Sequence, residues 1–355
     1  MIKIEELTEE KRTAWDNYVG HSPVGLPQQL SGWREVLRKT YGYETHFLFA
    51  HNGSSMPTSN GDQTPIVGVL PLFFVRSVLT GRTAMTMPGG LCADSAEVAQ
   101  ALITKAQAMA RQVGINRLVL PDTRQAWPGD LQTTSQHVNW IMDVRAGEAA
   151  LSKKLDRNIR RQIRMARDNQ LRVEIERTPR LLGDFYQVLS RFTHQSGTPV
   201  YGRNFLEQVI EQFPRGYNIV VVYRQQQPIG GYFQLEMGNT VYGVWGATLH
   251  EYLALRPVYL AYWETLVDTI AHNFAFLDMG RSPVDSNASA FKGQWGGVCT
   301  PVYQQIAGGE PSQQSVAVQA QTDHRFRSFR QIWPKLPFAL AQFLGPRLRR
   351  HVPFA

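Results

Sequence analysis

Residues Phe274 to Gly297 read FAFLDMGRSPVDSNASAFKGQWGG. The stretch starts as a short apolar strand, Phe274 to Met279, and breaks at Gly280-Arg281-Ser282. It crosses a polar loop through Asp285, Ser286 and Asn287 and returns on an aromatic and lysine cluster, Phe291-Lys292 and Trp295-Gly296. Charged side chains at the C-terminal end of a strand, beside glycines that let backbone approach a ligand, suit a binding site in an α/β domain. A plain connector between strands would use similar residues, so the surrounding chain decides between the two.

Upstream, alternation and apolar runs place strands at 171–175, 217–223, 229–237 and 240–247, before the stretch itself. Helices fall at 180–194 and 203–213, separated by the breaker Ser196-Gly197-Thr198-Pro199, and at 255–272; a last strand follows at 298–306. The N-terminal half runs in the same order. It has a strand at 1–6, helices at 9–19 and 28–41, and strands at 45–50, 65–75 and 83–87. An Ala-rich helix at 93–113, ended by Gly114, and strands at 117–120 and 137–144 complete it. Both halves read β-α-α-β-β-β-α-β-β, joined by one helix over 147–169. The repeat lies in element order rather than in residue identity. The chain is thus an α/β (α+β) protein with units at 1–146 and 147–308 and a basic aromatic tail at 309–355.

That element order resembles the GNAT-type N-acyltransferase domain, so the chain looks like two tandem GNAT-like units, each a mixed, mostly antiparallel sheet flanked by helices. Gly197-Thr198-Pro199, Gly280-Arg281-Ser282, Phe291-Lys292 and Trp295-Gly296-Gly297 then resemble the FemABX family, whose second unit ends on a similar FK-x-x-[FW]-G-G. Within it the chain is most similar to FemAB-like proteins associated with exosortase/PEP-CTERM exopolysaccharide systems. The resemblance covers roughly residues 20–306. It implies amide formation on an amino group of a cell-envelope precursor with aminoacyl-tRNA as donor. It also implies that Lys292 holds the acceptor or stabilises the reacting carbonyl. The long coiled-coil arm of many Fem enzymes, associated with tRNA, has no room between Arg180 and Gly216.

Acyl transfer to an amine needs a neutral amine, a polarised carbonyl and in-line positioning. Lys292 and Arg281 are the candidate cations for the carbonyl oxygen, and Asp278 is the candidate base. The competing readings are a solvated Lys292, an Arg281 salt bridge to Asp278 or Asp285, and an Asp278 that only accepts hydrogen bonds. Gly280, Ser282, Phe291 and Trp295 would edge the substrate cleft. Tyr242, Trp245, Tyr259, Tyr262 and Trp263 either line it or belong to the core. The segments where a CoA-binding phosphate loop would sit, Pro88–Ser95 and Ala247–Pro257, lack its glycine spacing. The donor is aminoacyl-tRNA, as the FemABX resemblance implies, or acyl-CoA, which this spacing supports less well, and no other cofactor is expected.

The net charge of +8 sits in two places. Residues 153–168 hold seven Lys/Arg and two Asp, and residues 311–355 hold seven Lys/Arg and one Asp, so the rest of the chain is slightly acidic. As one helix, the first segment gathers Lys153, Lys154, Arg157, Arg160, Arg161, Arg164 and Arg167 in an arc of about 140°. Such a face suits an anionic partner: tRNA, a nucleotide-sugar or a lipid-linked sugar. The tail mixes aromatics with arginines and reads either as a peripheral membrane segment or as an arm packed on the body. Cys92 and Cys299 are far apart, the histidines form no ligand spacing, and no apolar run is long enough to span a membrane. These features lead to an expectation of no metal and of a cytoplasmic protein, at the inner membrane face if the tail docks there. The expected activity is an acyl- or aminoacyltransferase. A CoA-dependent N-acetyltransferase and a non-catalytic binding module of a polysaccharide assembly system are the alternatives.

Overall fold

The computed structural model describes residues 1–53, 65–77, 81–308 and 324–351. Most of the segment between the strands expected at 45–50 and 65–75, and the first and last residues of the tail expected at 309–355, lie outside the described residues.

The first half contains β1 (Ile2–Glu6), α1 (Arg12–His21), α2 (Trp33–Tyr41), β2 (Glu44–Asn52), β3 (Ile66–Ser77) and β4 (Gly81–Thr86). A two-residue β5 (Cys92–Ala93), α3 (Ala96–Gln112), β6 (Arg117–Thr123) and β7 (Gln132–Asp143) follow. The second half opens with α4 (Glu148–Lys154), α5 (Arg157–Asp168), β8 (Leu171–Glu176), α6 (Pro179–Gln195) and α7 (Arg203–Gln212). It continues with β9 (Tyr217–Arg224), β10 (Gln227–Met237), β11 (Thr240–Thr248), α8 (Pro257–Ala271), β12 (Phe276–Pro283), α9 (Asn287–Gly293) and β13 (Val298–Gly308). The repeated order is the one expected, with β5 and α9 added.

Three local expectations are corrected. The helix expected over 147–169 is two helices. Leu155 is extended at ψ 138°, and Asp156 restarts the chain as an N-cap that accepts from Asn158 N at 2.7 Å. Lys153 and Lys154 therefore leave the arginine face of α5. The strand expected to break at Gly280 runs on to Pro283, because a bulge in its ladder with β7 absorbs Gly280. The polar loop before Phe291 is the helix α9, capped by Ser286, whose hydroxyl accepts from Ser289 N at 3.1 Å.

Among the described residues thirteen strands join one sheet. Its path is β1-β2-β3-β4-β6-β13-β7-β12-β11-β10-β9-β8, with β5 paired to β3 off the path. The last strand of each half sits in the other half. β13 pairs with β6 from Tyr303↔Thr123 to Gly308↔Arg117, and β7 pairs with β12 from Phe276↔Asp143 to Pro283↔His137. The two exchanged strands pair with each other at the centre, Asn139 opposite Thr300. Along the path, β1-β2-β3-β4-β6-β13 is answered in reverse by β7-β12-β11-β10-β9-β8.

Helices cover both faces. The period-2 alternation of the strands sorts their side chains accordingly. In β2, Phe47 and Phe49 belong to one apolar cluster with Trp15, Trp33, Phe185 and Phe205 of α1, α2, α6 and α7, whereas Leu48 and Ala50 belong to another with Leu102 and Ala106 of α3. On that second face, beneath the second half, Ile159 and Ile163 of α5 pack with Leu260 and Leu266 of α8. The described tail, helices His324–Ile332 and Phe338–Arg349, is an arm packed on the body. Trp333 is buried, the Leu336 carbonyl meets His194 Nε2 at 3.0 Å, and Tyr43 Oη donates to Arg350 O at 2.6 Å. The breaker Gly197 serves this docking: at φ +74° it has no Cβ, and one placed there would lie 2.4 Å from Arg330 O.

The sheet is apolar in strands such as β3 and β9, which flank the centre, and polar at the centre itself. Gln305 of β13 is fully buried, accepts from Trp127 N at 2.9 Å, and donates to Trp127 O at 2.8 Å and to Thr133 Oγ1 at 3.0 Å. It thereby satisfies both backbone groups of a loop that has no ladder partner. Gln305→Ala should lower unfolding stability by about 3 kcal/mol, measured by urea denaturation.

Candidate functional site

The parallel strands β11 and β12 pair only over Thr240–Tyr242 and Phe276–Asp278. Beyond that point they part, at Gly243 and Gly280. Gly280 lies in the bulge at φ +77°, and a Cβ there would sit 2.6 Å from Gly243 O. Only glycine fits this approach.

Beside this opening the two halves exchange charges. Asp278 is 2% exposed. Its Oδ1 accepts from Asn139 Nδ2 at 2.6 Å and from Gly280 N at 2.8 Å, and its Oδ2 accepts from Arg124 Nη2. Arg281 donates instead to Asp122 Oδ1 at 2.6 Å. The partner of Arg281 is therefore neither Asp278 nor Asp285 but a carboxylate at the end of β6. Asp122 ends β6 and Arg124 comes just after it, as Asp278 and Arg281 sit along β12, and each arginine crosses to the other strand's carboxylate.

Lys292 is not a solvated loop cation. Helix α9 carries it under the opening, where it is 9% exposed. Its Nζ donates to Gly280 O at 2.8 Å and to Arg281 O at 3.1 Å. An ammonium has three N–H groups, and the third has no partner among the described residues. Burial pushes its pKa down from 10.5 to about 8, against the pull of the Asp278 carboxylate and with the push of Arg281.

Two cavities lie to either side of Gly243 and Gly280. The smaller, about 210 Å³, is walled by Trp33, Tyr201, Tyr242 and Trp245 and by the charged group Asp122, Arg124, Asp278 and Arg281. The larger, about 670 Å³, is walled by Tyr232, Tyr259, Tyr262, Met279, Phe291 and Lys292. Gly243, Val244, Gly280 and Arg281 belong to both. The smaller reaches toward Trp33 of α2, the larger toward α8, α9 and Phe192 of α6.

The expected site residues divide accordingly. Tyr242 and Trp245 line the smaller cavity, and Tyr259 and Phe291 the larger. Trp295 is buried behind them, 5.7 Å from the Tyr262 ring centre, and Trp263 is buried in the core of the same face. Ser282 is buried with its hydroxyl unpartnered. Arg157, Arg160, Arg161 and Arg164 stand on the exposed face of α5 and line neither cavity. Sequence reading missed Asp122, Arg124, Asn139, Trp33 and Tyr201. The available signal was the Asp-x-Arg after β6, which matches the Asp-x-x-Arg of β12. In the first half the corresponding space is filled. Gln29 is fully buried, donates to Gly89 O at 2.9 Å and accepts from Leu26 N at 2.8 Å.

A lysine whose folded pKa is depressed holds fewer protons than the unfolded chain between about 8 and 10.5. The penalty for burying its charge is then fully present below about pH 8 and is relieved as pH rises toward 10.5. Relative to the parent, Lys292→Met should be at its most stable near neutrality and lose that relative gain over this range. Urea midpoints taken across the pH series check it.

Residues 153–293 match the sequence model of the family described as acetyltransferase (GNAT) domain. No curated protein matches the chain. Among solved structures, FemX shares 14% identity at a TM-score of 0.63 over 85% of this chain and 96% of its own. A tandem GNAT protein from the clavulanic acid biosynthesis pathway shares 11% at 0.56 over 88% of this chain and all of its own. The C-terminal domain of a putative lysylphosphatidylglycerol synthetase from Agrobacterium fabrum shares 11% at 0.56 over 91% and 96%. The expected GNAT-like fold is therefore the observed one: residues 153–293 match the GNAT acetyltransferase domain, and the chain shares its fold with FemX and with a tandem GNAT protein.

Proposed function

We propose that the protein is an N-acyltransferase that moves an acyl or aminoacyl group from a donor in the larger cavity to an amine held in the smaller one. One observation carries this reading: the two cavities share Gly243, Val244, Gly280 and Arg281 as lining, and the Lys292 amine is bonded to Gly280 O. The acceptor amine attacks the donor carbonyl as its neutral form. The new N–C bond forms as the ester or thioester bond breaks, the leaving group departs with a proton, and the amine gives up one. Negative charge on the carbonyl oxygen falls to the third N–H of Lys292. With a pKa of about 8 this group is largely charged at neutral pH, and in a water-poor site such a donor is strong. Asp278 is then a positioning residue rather than the base. Three donors already occupy its two oxygens, and through them it holds Gly280 N, Asn139 and Arg124.

The smaller cavity offers aromatic walls and paired charges, a lining that suits an amino sugar of a cell-envelope or exopolysaccharide precursor. For the donor, the arginine face of α5 supports aminoacyl-tRNA. Arg157, Arg160 and Arg164 have no ion pair among the described residues, while Arg167 pairs with Glu264 at 3.0 Å. A CoA-linked donor is the second reading. It is favoured by Arg256, which precedes the first turn of α8, lines the larger cavity and keeps its Nε buried and unpartnered.

The experiment offers purified protein an aminoacyl-tRNA pool and an acyl-CoA pool with amino-sugar acceptors and reads product by mass. Lys292→Ala should lower kcat by roughly 100- to 1000-fold with a smaller change in KM, and the parent's rate should fall as pH rises above about 8. Full activity in Lys292→Ala removes the role given to Lys292. No product from either pool leaves the binding-module reading standing.

A further inference from the structure

We infer that the outer face of the C-terminal arm is a docking surface for a membrane rich in anionic lipid. Residues 324–351 hold seven Lys/Arg and no Asp or Glu. The helix Phe338–Arg349 turns Ala341, Gly345 and Arg349 inward against the body. At 100° per residue its opposite side collects Leu340, Phe343 and Arg347 within one narrow arc. Leu340 and Phe343 are 43% and 58% exposed, and Ile332, at the end of the preceding helix, is 57% exposed. Arg347 lies over the Phe343 ring at 3.8 Å, so cation and aromatic leave the surface together. Arg330, Lys335 and Arg350 are exposed along the same arm.

The mixture selects the partner. Aliphatic and aromatic side chains set among cations gain from an interface where acyl chains lie under negative headgroups. A nucleic acid would satisfy the cations and leave Ile332, Leu340 and Phe343 in water; the nearly pure arginine face of α5 is the better match for that class. A second copy of this chain would bring two sets of cations together with no acids between them. No helix among the described residues is long and apolar enough to cross a membrane, so this surface lies on the bilayer rather than in it.

The inner side of the same helix touches the proposed acceptor cavity. Arg349 donates to Tyr201 Oη at 2.5 Å and lies 4.2 Å from its ring centre, and Tyr201 walls that cavity. An arm seated on lipid would hold this wall close to the headgroup layer, where a lipid-linked sugar presents its amine. The docking surface itself stands on burial and charge alone and does not depend on the acyl-transfer reading.

The test uses the full chain and vesicles of phosphatidylcholine with and without phosphatidylglycerol, read by co-sedimentation at low and high salt. Binding should require phosphatidylglycerol and weaken with salt. Leu340→Ser with Phe343→Ser should weaken partition at least about tenfold, and Arg347→Gln with Lys335→Gln should reduce both partition and its salt dependence. These side chains are exposed, so circular dichroism and the melting temperature should not change. Absence of binding, or equal binding by parent and variants, overturns the inference. So does loss of binding on Arg157→Gln, Arg160→Gln and Arg164→Gln with the arm variants unaffected. A dimer in sedimentation velocity that dissociates on Phe343→Ser would assign the surface to a second copy instead.

Discussion

Arg124 and Arg281 belong to opposite halves of the chain, and each is neutralised by the other half's carboxylate. The first pair is nearly closed off from water, with Asp278 at 3% and Arg124 at 18% side-chain exposure. An ion pair of this kind adds little net stability, but loss of one partner leaves a buried charge with nothing to balance it. The two pairs therefore act less as glue than as a register. They hold the end of β6 against β12 where the exchanged strands meet, and the residues that both cavities share sit beside them. If the halves slid apart, both carboxylates and both guanidiniums would be stranded at once.

This explains the uneven distribution of polarity in the sheet. The strands flanking the centre carry the apolar cores, with Phe47, Phe73, Ile219 and Phe233 of β2, β3, β9 and β10 almost fully buried. The central strands β7 and β13 carry polar groups that bond to other polar groups: Asn139 donates to Asp278 of β12, and Gln305 bonds Thr133 and the Trp127 backbone. Apolar stability thus comes from the flanks, and the centre is free to carry charges and amides. Such a division is physically sound only because each central polar group finds a partner. Among the described residues the hydroxyl of Ser282 and Nη1 of Arg124 are exceptions, and Arg124 lines the smaller cavity.

The order of elements was legible because period-2 and 3.6-residue patterns survive in single segments such as Tyr217–Tyr223 and Ala96–Gln112. The exchange of β7 and β13 was not. Both strands are polar, their partners are distant in sequence, and nothing local states which neighbour a strand will choose. For the same reason Arg281 was matched to nearby Asp278 or Asp285 rather than to Asp122, 159 positions away. Helix α9 escaped because seven residues are too few to display an apolar stripe, although Ser286 at its cap was a signal. The break at Leu155 carries neither glycine nor proline; Asp156 as a cap was its only mark. Lys292 was found through its motif, whereas its burial followed from α9 and could not be read from the loop that the sequence suggested.

Gly280 has one more implication. Gly243 and Gly280 line both cavities, and a Cβ on Gly280 would sit 2.6 Å from Gly243 O. The two chambers are therefore divided at this point by main chain in close contact. Rotamer changes and substitutions in the aromatic walls can reshape either chamber, but none of them moves this divider. The fold thus separates two properties that most sites mix. The shape of each chamber is set by replaceable side chains, while the spacing between the chambers is set by the backbone.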